Sequence, residues 1–433
     1  MKQLEGVQSH IDRCSKCGTC QAVCPLFGEE KRETLVARGK IFLLDALEEG
    51  KLEWSPRMAE VVSTCLLCRS CEASCPNGVR TDLIVLAYRE RLAKAKGLSF
   101  WKKTAFQYLI NSRGRLTLAA KLLYLYQHSG LQRLVRSSGL LPKLPWSLRE
   151  KESLLPAISR RSFHRQAAEE VPAQGKQKWR VGYFYGCMTN FAFPETGQAM
   201  VKLLTAHGAQ VVLPKQVCCG LPALVHGDFK TAASIAAKNL EFFRAAGADR
   251  ILVDCASCGT FLKEYGDLLA AHEAREFSAK VRDWSEYFTR DEEYKPGLTP
   301  VEKRVTYHDP CHLKRHQGVS DPPRRLLRQV PGLSLLEMEG ADRCCGAAGS
   351  FNMTHYRLSE KVSKSKIDSI LATGADLVTT GCPACRMQLA RGLKARGSEM
   401  PALHPVELLA ASLQSDTAPS GKPAKGKRQT FPA

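Results

Sequence analysis

Two periodicities divide the chain. Up to about residue 178 the apolar positions recur at helical spacing; from Lys178 onward, short apolar runs of strand type alternate with helical stretches. Leu35, Ile41, Leu43, Leu44 and Leu47 share a helical face that Gly50 ends, Val61 leads into a loop, and an N-capped helix is expected over 81–92. Between 99 and 151, Phe100, Trp101, Phe106, Tyr108, Leu109 and the run Leu122–Tyr126 are interleaved with basic residues, and prolines 142, 145, 156 and 172 then break the pattern. Strands are expected at 179–185, 210–213 and 250–253, with helices at 199–207 and 232–246 between them. The order returns as strands at 304–307, 333–338 and 376–379 and a closing helix at 406–413. Strands alternating with helices predict parallel α/β layers, whose sites form beyond the carboxyl ends of the strands. The fold class is therefore α+β multidomain, with boundaries at 1–95, 96–178, 179–300 and 301–414. The Pro/Ala/Lys/Ser-rich tail 415–433 is expected to be disordered.

Cysteine adds the chemistry. Cys14, Cys17, Cys20 and Cys24, followed by Pro25, form a Cys-x₂-Cys-x₂-Cys-x₃-Cys-Pro run, and Cys65, Cys68, Cys71, Cys75 and Pro76 repeat it. Three close thiolates wrap a cubane while the fourth crosses to the other cluster. The spacing thus predicts one 4Fe–4S cluster on Cys14, Cys17, Cys20 and Cys75, and a second on Cys65, Cys68, Cys71 and Cys24. Zinc is the alternative, but it takes four ligands, usually from paired knuckles. The other ten cysteines make two copies of one pattern: Cys187, Cys218, Cys219, Cys255, Cys258, then Cys311, Cys344, Cys345, Cys382, Cys385. Each group falls at predicted strand ends, and Gly220 and Gly346 follow the doublets. Five thiols per unit exceed the need of a single ion; a vicinal disulfide in each doublet would leave the other three unexplained.

Composition narrows the setting. Eighteen cysteines in 433 residues do not make a small secreted scaffold, and Met1-Lys2-Gln3-Leu4-Glu5 opens without a signal-type apolar segment. With no run of apolar residues long enough to span a bilayer, a cytoplasmic protein, at most peripheral on the inner face of the membrane, is expected. The formal charge of +20 invites a nucleic-acid reading, but no such motif accompanies it. Thiolate-bound clusters would offset part of that charge. From 99 to 151, ten Lys or Arg face one acid, Glu150. This connector either packs on its own domains, docks a partner, or lies on an anionic membrane surface.

Ala37-Arg38-Gly39-Lys40-Ile41-Phe42-Leu43-Leu44 between the two runs resembles the helical two-cluster ferredoxin module of flavin-linked dehydrogenase subunits. The five-cysteine pattern resembles the cysteine-rich (CCG) domain family found in heterodisulfide reductase. That resemblance implies a Rossmann-like α/β unit with a non-cubane 4Fe–4S centre on the five cysteines, so one or two such centres besides the two cubanes. Over nearly the full chain the arrangement resembles the glycolate oxidase iron–sulfur subunit family. Tyr307-His308-Asp309-Pro310-Cys311-His312-Leu313, Cys344–Phe351 and Leu403-His404-Pro405-Val406-Glu407 carry that likeness. It implies an electron-transfer subunit of a glycolate dehydrogenase complex, passing electrons from an FAD-containing subunit toward the quinone pool. Subunits serving lactate and glycerol-3-phosphate dehydrogenases share much of the pattern. The rival reading is a catalytic thiol/disulfide reductase of heterodisulfide-reductase type. No dinucleotide-binding glycine motif, phosphate loop or zinc-protease motif is present, so no catalytic residue for the 2-hydroxy acid is expected on this chain. His308, His312 and His316, four apart, are candidates to line one helical face, for orientation and hydrogen bonding rather than ligation. Asp309-Pro310 is expected to shape the turn before Cys311, and Lys16 and Arg69 to be solvated loop charges.

Overall fold

The computed structural model describes residues 6–138, 146–291 and 297–413; the expected tail 415–433 lies outside them. Among the described residues up to Arg165, every element is helical. The helix expected from Leu35 to Leu47 forms at Ala37–Glu48, with Gly50 in left-handed backbone just beyond it. The helix from Thr81 runs on to Lys96 and opens without a side-chain cap. Ile41, Leu44, Val62, Ile84, Val85 and Tyr88 close a helical core beneath the two cysteine loops.

Among the described residues, nine strands form two sheets, β1 Glu170–Val171, β2 Trp179–Phe184, β3 Ala209–Val212, β4 Arg250–Val253, β5 Val281–Asp283, β6 Lys303–Tyr307, β7 Leu333–Leu335, β8 Leu377–Thr379 and β9 Ala402–Leu403. The first sheet has order β1-β3-β2-β4-β5, parallel except for the β1 edge; the second is β7-β6-β8-β9, all parallel. Each repeat therefore starts in the middle of its sheet, adds a strand on one side, then crosses to the other. Reversal of that kind leaves a crevice at the carboxyl ends of the central strands. The pattern-based reading missed β1, β5 and β9. These have two or three residues each, with polar residues or proline beside or within them rather than an apolar run.

The apolar core ignores sequence boundaries. One buried cluster joins Phe184, Ile251 and Phe261 of the first repeat to Leu313, Val378 and Leu389 of the second. Another joins Leu26, Leu35 and Leu66 of the helical unit to Phe351 and Val362 of the second repeat, with Cys68, Cys311 and Cys344 inside it. The cysteine loops thus lie where the three units meet.

Candidate metal centres

Both N-terminal loops turn by the same device. Lys16 and Gly18 follow Cys14 in left-handed backbone, as Leu67 and Arg69 follow Cys65 at the matching positions. Three of these four are not glycine, so the loops hold a conformation that costs roughly 1–3 kcal/mol per residue. It bends the chain tightly enough to turn three thiols inward. Cys14, Cys17, Cys20 and Cys75 line one small cavity, with Cys71 at its border. Cys24, Cys65, Cys68 and Cys71 line the next.

The helix between the runs serves both cavities. Arg38 donates to the Lys16 carbonyl at 3.4 Å and borders the first cavity. Lys40 is buried beside the second, donating to the carbonyls of Thr34 (3.0 Å) and Val61 (2.5 Å). Burial pulls its pKa down to about 8, with Cys65 and Cys24 opposing. Gly39, between them, must be glycine: a Cβ there would run into the Glu33 carbonyl. Arg69 corrects the expectation of a solvated charge. It is largely buried, 2.7 Å from Asp82 and 3.6 Å from Glu264 of the first repeat. Burial opposes ionisation of Asp82, yet Arg80 and Arg69 hold its pKa at about 2. Lys16 is on the surface over the Phe42 ring.

In each repeat the strands deliver the thiols. Cys187 follows β2, the Cys218–Cys219 doublet follows β3, and Cys255 follows β4, where its sulfur caps the helix Ala256–Lys263 by accepting from the Cys258 amide at 3.4 Å. Gly220 and Gly346 have φ of 96° and 89°; a Cβ on Gly346 would stand 2.6 Å from the Ser359 carbonyl. The ten thiols form one unbroken run, each within hydrogen-bonding reach of the next. It passes Cys187, Cys218, Cys219, Cys258 and Cys255, crosses to Cys382, and continues through Cys385, Cys345 and Cys344 to Cys311. Cys345 and Cys385 are 3.3 Å apart. Beyond Cys344 comes Cys68 of the helical unit, whose thiol burial, then Cys344, pushes up to about 12.

Such a set fits iron–sulfur clusters. All eighteen cysteines are free, and those of the two repeats are buried except for a partly exposed Cys187. In apolar surroundings a thiol keeps its proton unless a cation replaces it. Ten convergent sulfurs, none in a disulfide, are therefore a donor set suited to iron.

The repeats are not equivalent. The five thiols of the second line a narrow space of about 10 Å³. Those of the first open onto a cavity of about 710 Å³, walled also by the helical unit and the connector. No Asp or Glu lines that cavity, while Arg89, Lys102, His226 and His355 do. Burial, then Lys102 and Arg89, pulls His226 down to about 3, and its Nε2 lies 2.6 Å from Ser350 Oγ. Arg89 clasps the units, donating to the carbonyls of Val62, Ser63 and Cys65 and to Val225 of the first repeat at 2.8–3.1 Å.

The three histidines part company. His308 precedes the helix Cys311–Gln317, so no single helical face holds all three. Its Nδ1 donates to the Ala341 carbonyl at 3.1 Å, and burial drops its pKa to about 3. The ring is thus neutral, and Nε2 carries a lone pair with no partner. A ring nitrogen of His308 and the sulfurs of Cys345 and Cys385 all lie within 4.8 Å of one another. Phe184 holds the matching position in the first repeat. His312 Nδ1 meets Ser257 Oγ at 2.8 Å, and that hydroxyl reaches Cys382 at 3.4 Å. His316 Nε2 meets the Leu67 carbonyl at 2.9 Å. Asp309, before Cys311, is buried in an ion pair with Arg324 at 2.7 Å. Arg38, Lys40, Arg89, His226 and Ser257 escaped the sequence reading of the site, since only folding brings them to the sulfurs.

Fold and donor set together define an iron–sulfur protein with a dicluster module and a duplicated cysteine-rich unit. Family models agree in placement: a 4Fe-4S dicluster domain matches residues 10–79, the linker region of the glycolate oxidase iron-sulfur subunit matches 97–155, and the cysteine-rich domain matches 181–263 and 305–390. A probable glycolate oxidase iron-sulfur subunit of Bacillus subtilis is 34% identical, covering 94% of this chain and 97% of its own. A subunit of the dihydromethanophenazine:CoB–CoM heterodisulfide reductase of Methanosarcina barkeri is 27% identical over 96% of this chain and 97% of its own. Lactate utilization protein A of Shouchella clausii is 30% identical over 53% of this chain and 98% of its own. The chain belongs to the glycolate oxidase iron–sulfur subunit family. Among the described residues, no helix is long and apolar enough to cross a membrane.

Proposed function

We propose that this chain is the electron-transfer subunit of an FAD-dependent 2-hydroxy-acid dehydrogenase complex, glycolate being the first candidate substrate, and that it passes electrons toward the quinone pool. The observation that carries the reading is the unbroken succession of sulfur sites. Cys71 borders both N-terminal cavities, Cys68 shares a buried cluster with Cys344, and Cys255 meets Cys382. In this reading Cys14, Cys17, Cys20 and Cys75 hold one 4Fe–4S cluster and Cys24, Cys65, Cys68 and Cys71 the other. Each five-cysteine set holds a further cluster, for which the relatives' cysteine-rich domains suggest a non-cubane form.

Such clusters, when bound, supply one-electron transfer at a potential set by charge, hydrogen bonding and exposure. The chain's residues govern those settings. Arg38 and Lys40 place positive charge beside the two N-terminal sites, which favours the reduced, more negative state. Burial of Cys68, Cys311 and Cys344 in apolar packing keeps water from the junction between the helical unit and the second repeat. The first repeat, open to the large cavity, is where electrons would leave.

That same cavity supports the second reading, direct reduction of a substrate at the first repeat, as the heterodisulfide reductase relatives' name suggests. The deciding experiment is anaerobic purification of the native complex, followed by addition of glycolate, D-lactate or glycerol 3-phosphate. Bleaching of the iron–sulfur absorption by one of them, through a co-purifying flavoprotein, is expected. A chain that purifies without a flavoprotein and reduces a mixed disulfide from a chemical donor would replace the first reading with the second.

A further inference from the structure

The connector presents an unpartnered surface of definite chemistry. Its longest helix, Arg113–His128, buries no residue completely. Leu118, Leu122 and Leu125, spaced four and three apart on one face, are 58%, 59% and 58% exposed. Arg115 and Lys121 flank that stripe on opposite sides at helical spacing and are exposed. On the opposite face, Gln127 ties the helix to the body of the protein through the Pro156 carbonyl and the Ile158 amide, at 2.8 and 3.0 Å. The leucines therefore face away from the protein. Elsewhere on the connector, Phe100 and Trp101 are 71% and 78% exposed, and Leu131 and Leu134 49% and 62% exposed.

Charge narrows the occupant. Residues 91–149 contain twelve Lys or Arg and no Asp or Glu. Lys103, Lys121 and Arg133 have no carboxylate within ion-pair distance among the described residues. Protein interfaces are depleted in lysine at their cores. A leucine face edged by lysine and arginine is instead the composition of a helix lying in a lipid–water interface, where the leucines enter the acyl boundary and the cations meet anionic headgroups.

We propose that the face carrying Leu118, Leu122 and Leu125 seats this chain on an anionic membrane surface as a peripheral anchor, independently of which dehydrogenase it serves. No covalent step or spanning segment is involved. The same connector contributes Lys102, Phe106, Leu154 and Leu155 to the wall of the large cavity at the first repeat, so an anchored connector would hold that cavity beside the lipid.

The full-length protein is tested by co-sedimentation with vesicles of equal parts phosphatidylglycerol and phosphatidylcholine, and with phosphatidylcholine alone. Binding to the anionic vesicles only is expected. Raising salt to about 1 M, where the Debye length shrinks to about 3 Å, should release most of it. Replacement of Leu118, Leu122 and Leu125 by Glu should reduce partitioning at least about a hundredfold, since each buried leucine contributes roughly tenfold. Because these leucines are exposed, circular dichroism and the melting midpoint should not change. A milder pair, Leu118→Ala with Leu122→Ala, gives an intermediate loss. Equal sedimentation of wild type and triple variant, or no binding to anionic vesicles, overturns the proposal. So does a triple variant that keeps vesicle binding but loses a co-purifying subunit, which would assign the face to a protein.

Discussion

Cys255 of the first repeat and Cys382 of the second lie within hydrogen-bonding reach of each other. Their neighbours pair as well, the Ala256 amide donating to the Gly381 carbonyl at 2.9 Å. Two sheets that share no strand thus meet at their sulfur-bearing ends, and His404 reinforces the junction by donating from Nε2 to the Asp254 carbonyl at 2.9 Å. Duplication therefore yields one extended sulfur site.

The proposed exchange of the fourth cysteine between the N-terminal loops predicts which substitutions behave alike. Cys24→Ser should alter the same cluster signal as Cys65→Ser, and Cys75→Ser the same signal as Cys14→Ser. Each should lower iron and acid-labile sulfide by about one cluster's complement, as ferredoxin-type runs imply. Paramagnetic resonance of the dithionite-reduced variants reads the pairing. Cys24→Ser matching Cys14→Ser instead would defeat it.

Arg89→Leu should loosen the helical unit from the first repeat. Four carbonyls lose a charged donor, and a loss of about 3 kcal/mol of stability is expected from hydrogen bonds to a buried charge. Limited proteolysis near residue 97, together with denaturant unfolding, measures it; Arg89→Lys should restore only part, being unable to fork to four acceptors.

His308→Phe copies the first repeat's Phe184 into the second. If the His308 lone pair contributes to the second centre, only that centre's midpoint potential should move, by about 59 mV for every tenfold change in the relative stability of its redox states. Redox titration followed by paramagnetic resonance would show it, and His308→Gln should recover part of the shift.

Asp283 gives the fold a pH dependence. Burial raises its pKa from 3.8 to about 7, while Ser285 opposes through its amide and hydroxyl. Between those values the unfolded chain releases the proton and the folded chain keeps it, so stability falls as pH rises through that window. Asp283→Asn keeps the acceptor to Ser285 without the proton and should flatten that part of the melting profile. An unchanged slope would place the dependence elsewhere.

Local order set how much could be read in advance. Trp179, Arg250 and Leu333 start strands at their expected places because a short apolar run bounded by turn residues marks a buried parallel strand. Strands β5 and β9 carry no such run and passed unseen, although they complete matching sheets. Arg69 reads as a solvated loop charge in the sequence because Asp82 and Glu264 reach it only after folding. The three histidines share a helical interval, but the helix begins after His308.

The sequence by itself determined the thiol donors, their grouping into two runs and two five-cysteine sets, and the alternation that builds parallel sheets. Those properties are local, fixed by spacing along the backbone. Tertiary structure alone decided that the two sets meet at Cys255 and Cys382, that the second lines a narrow space while the first faces a large cavity, and that the connector's leucines point outward. Each depends on which surfaces bury one another, and burial is a property of the packed whole that intervals between residues do not encode.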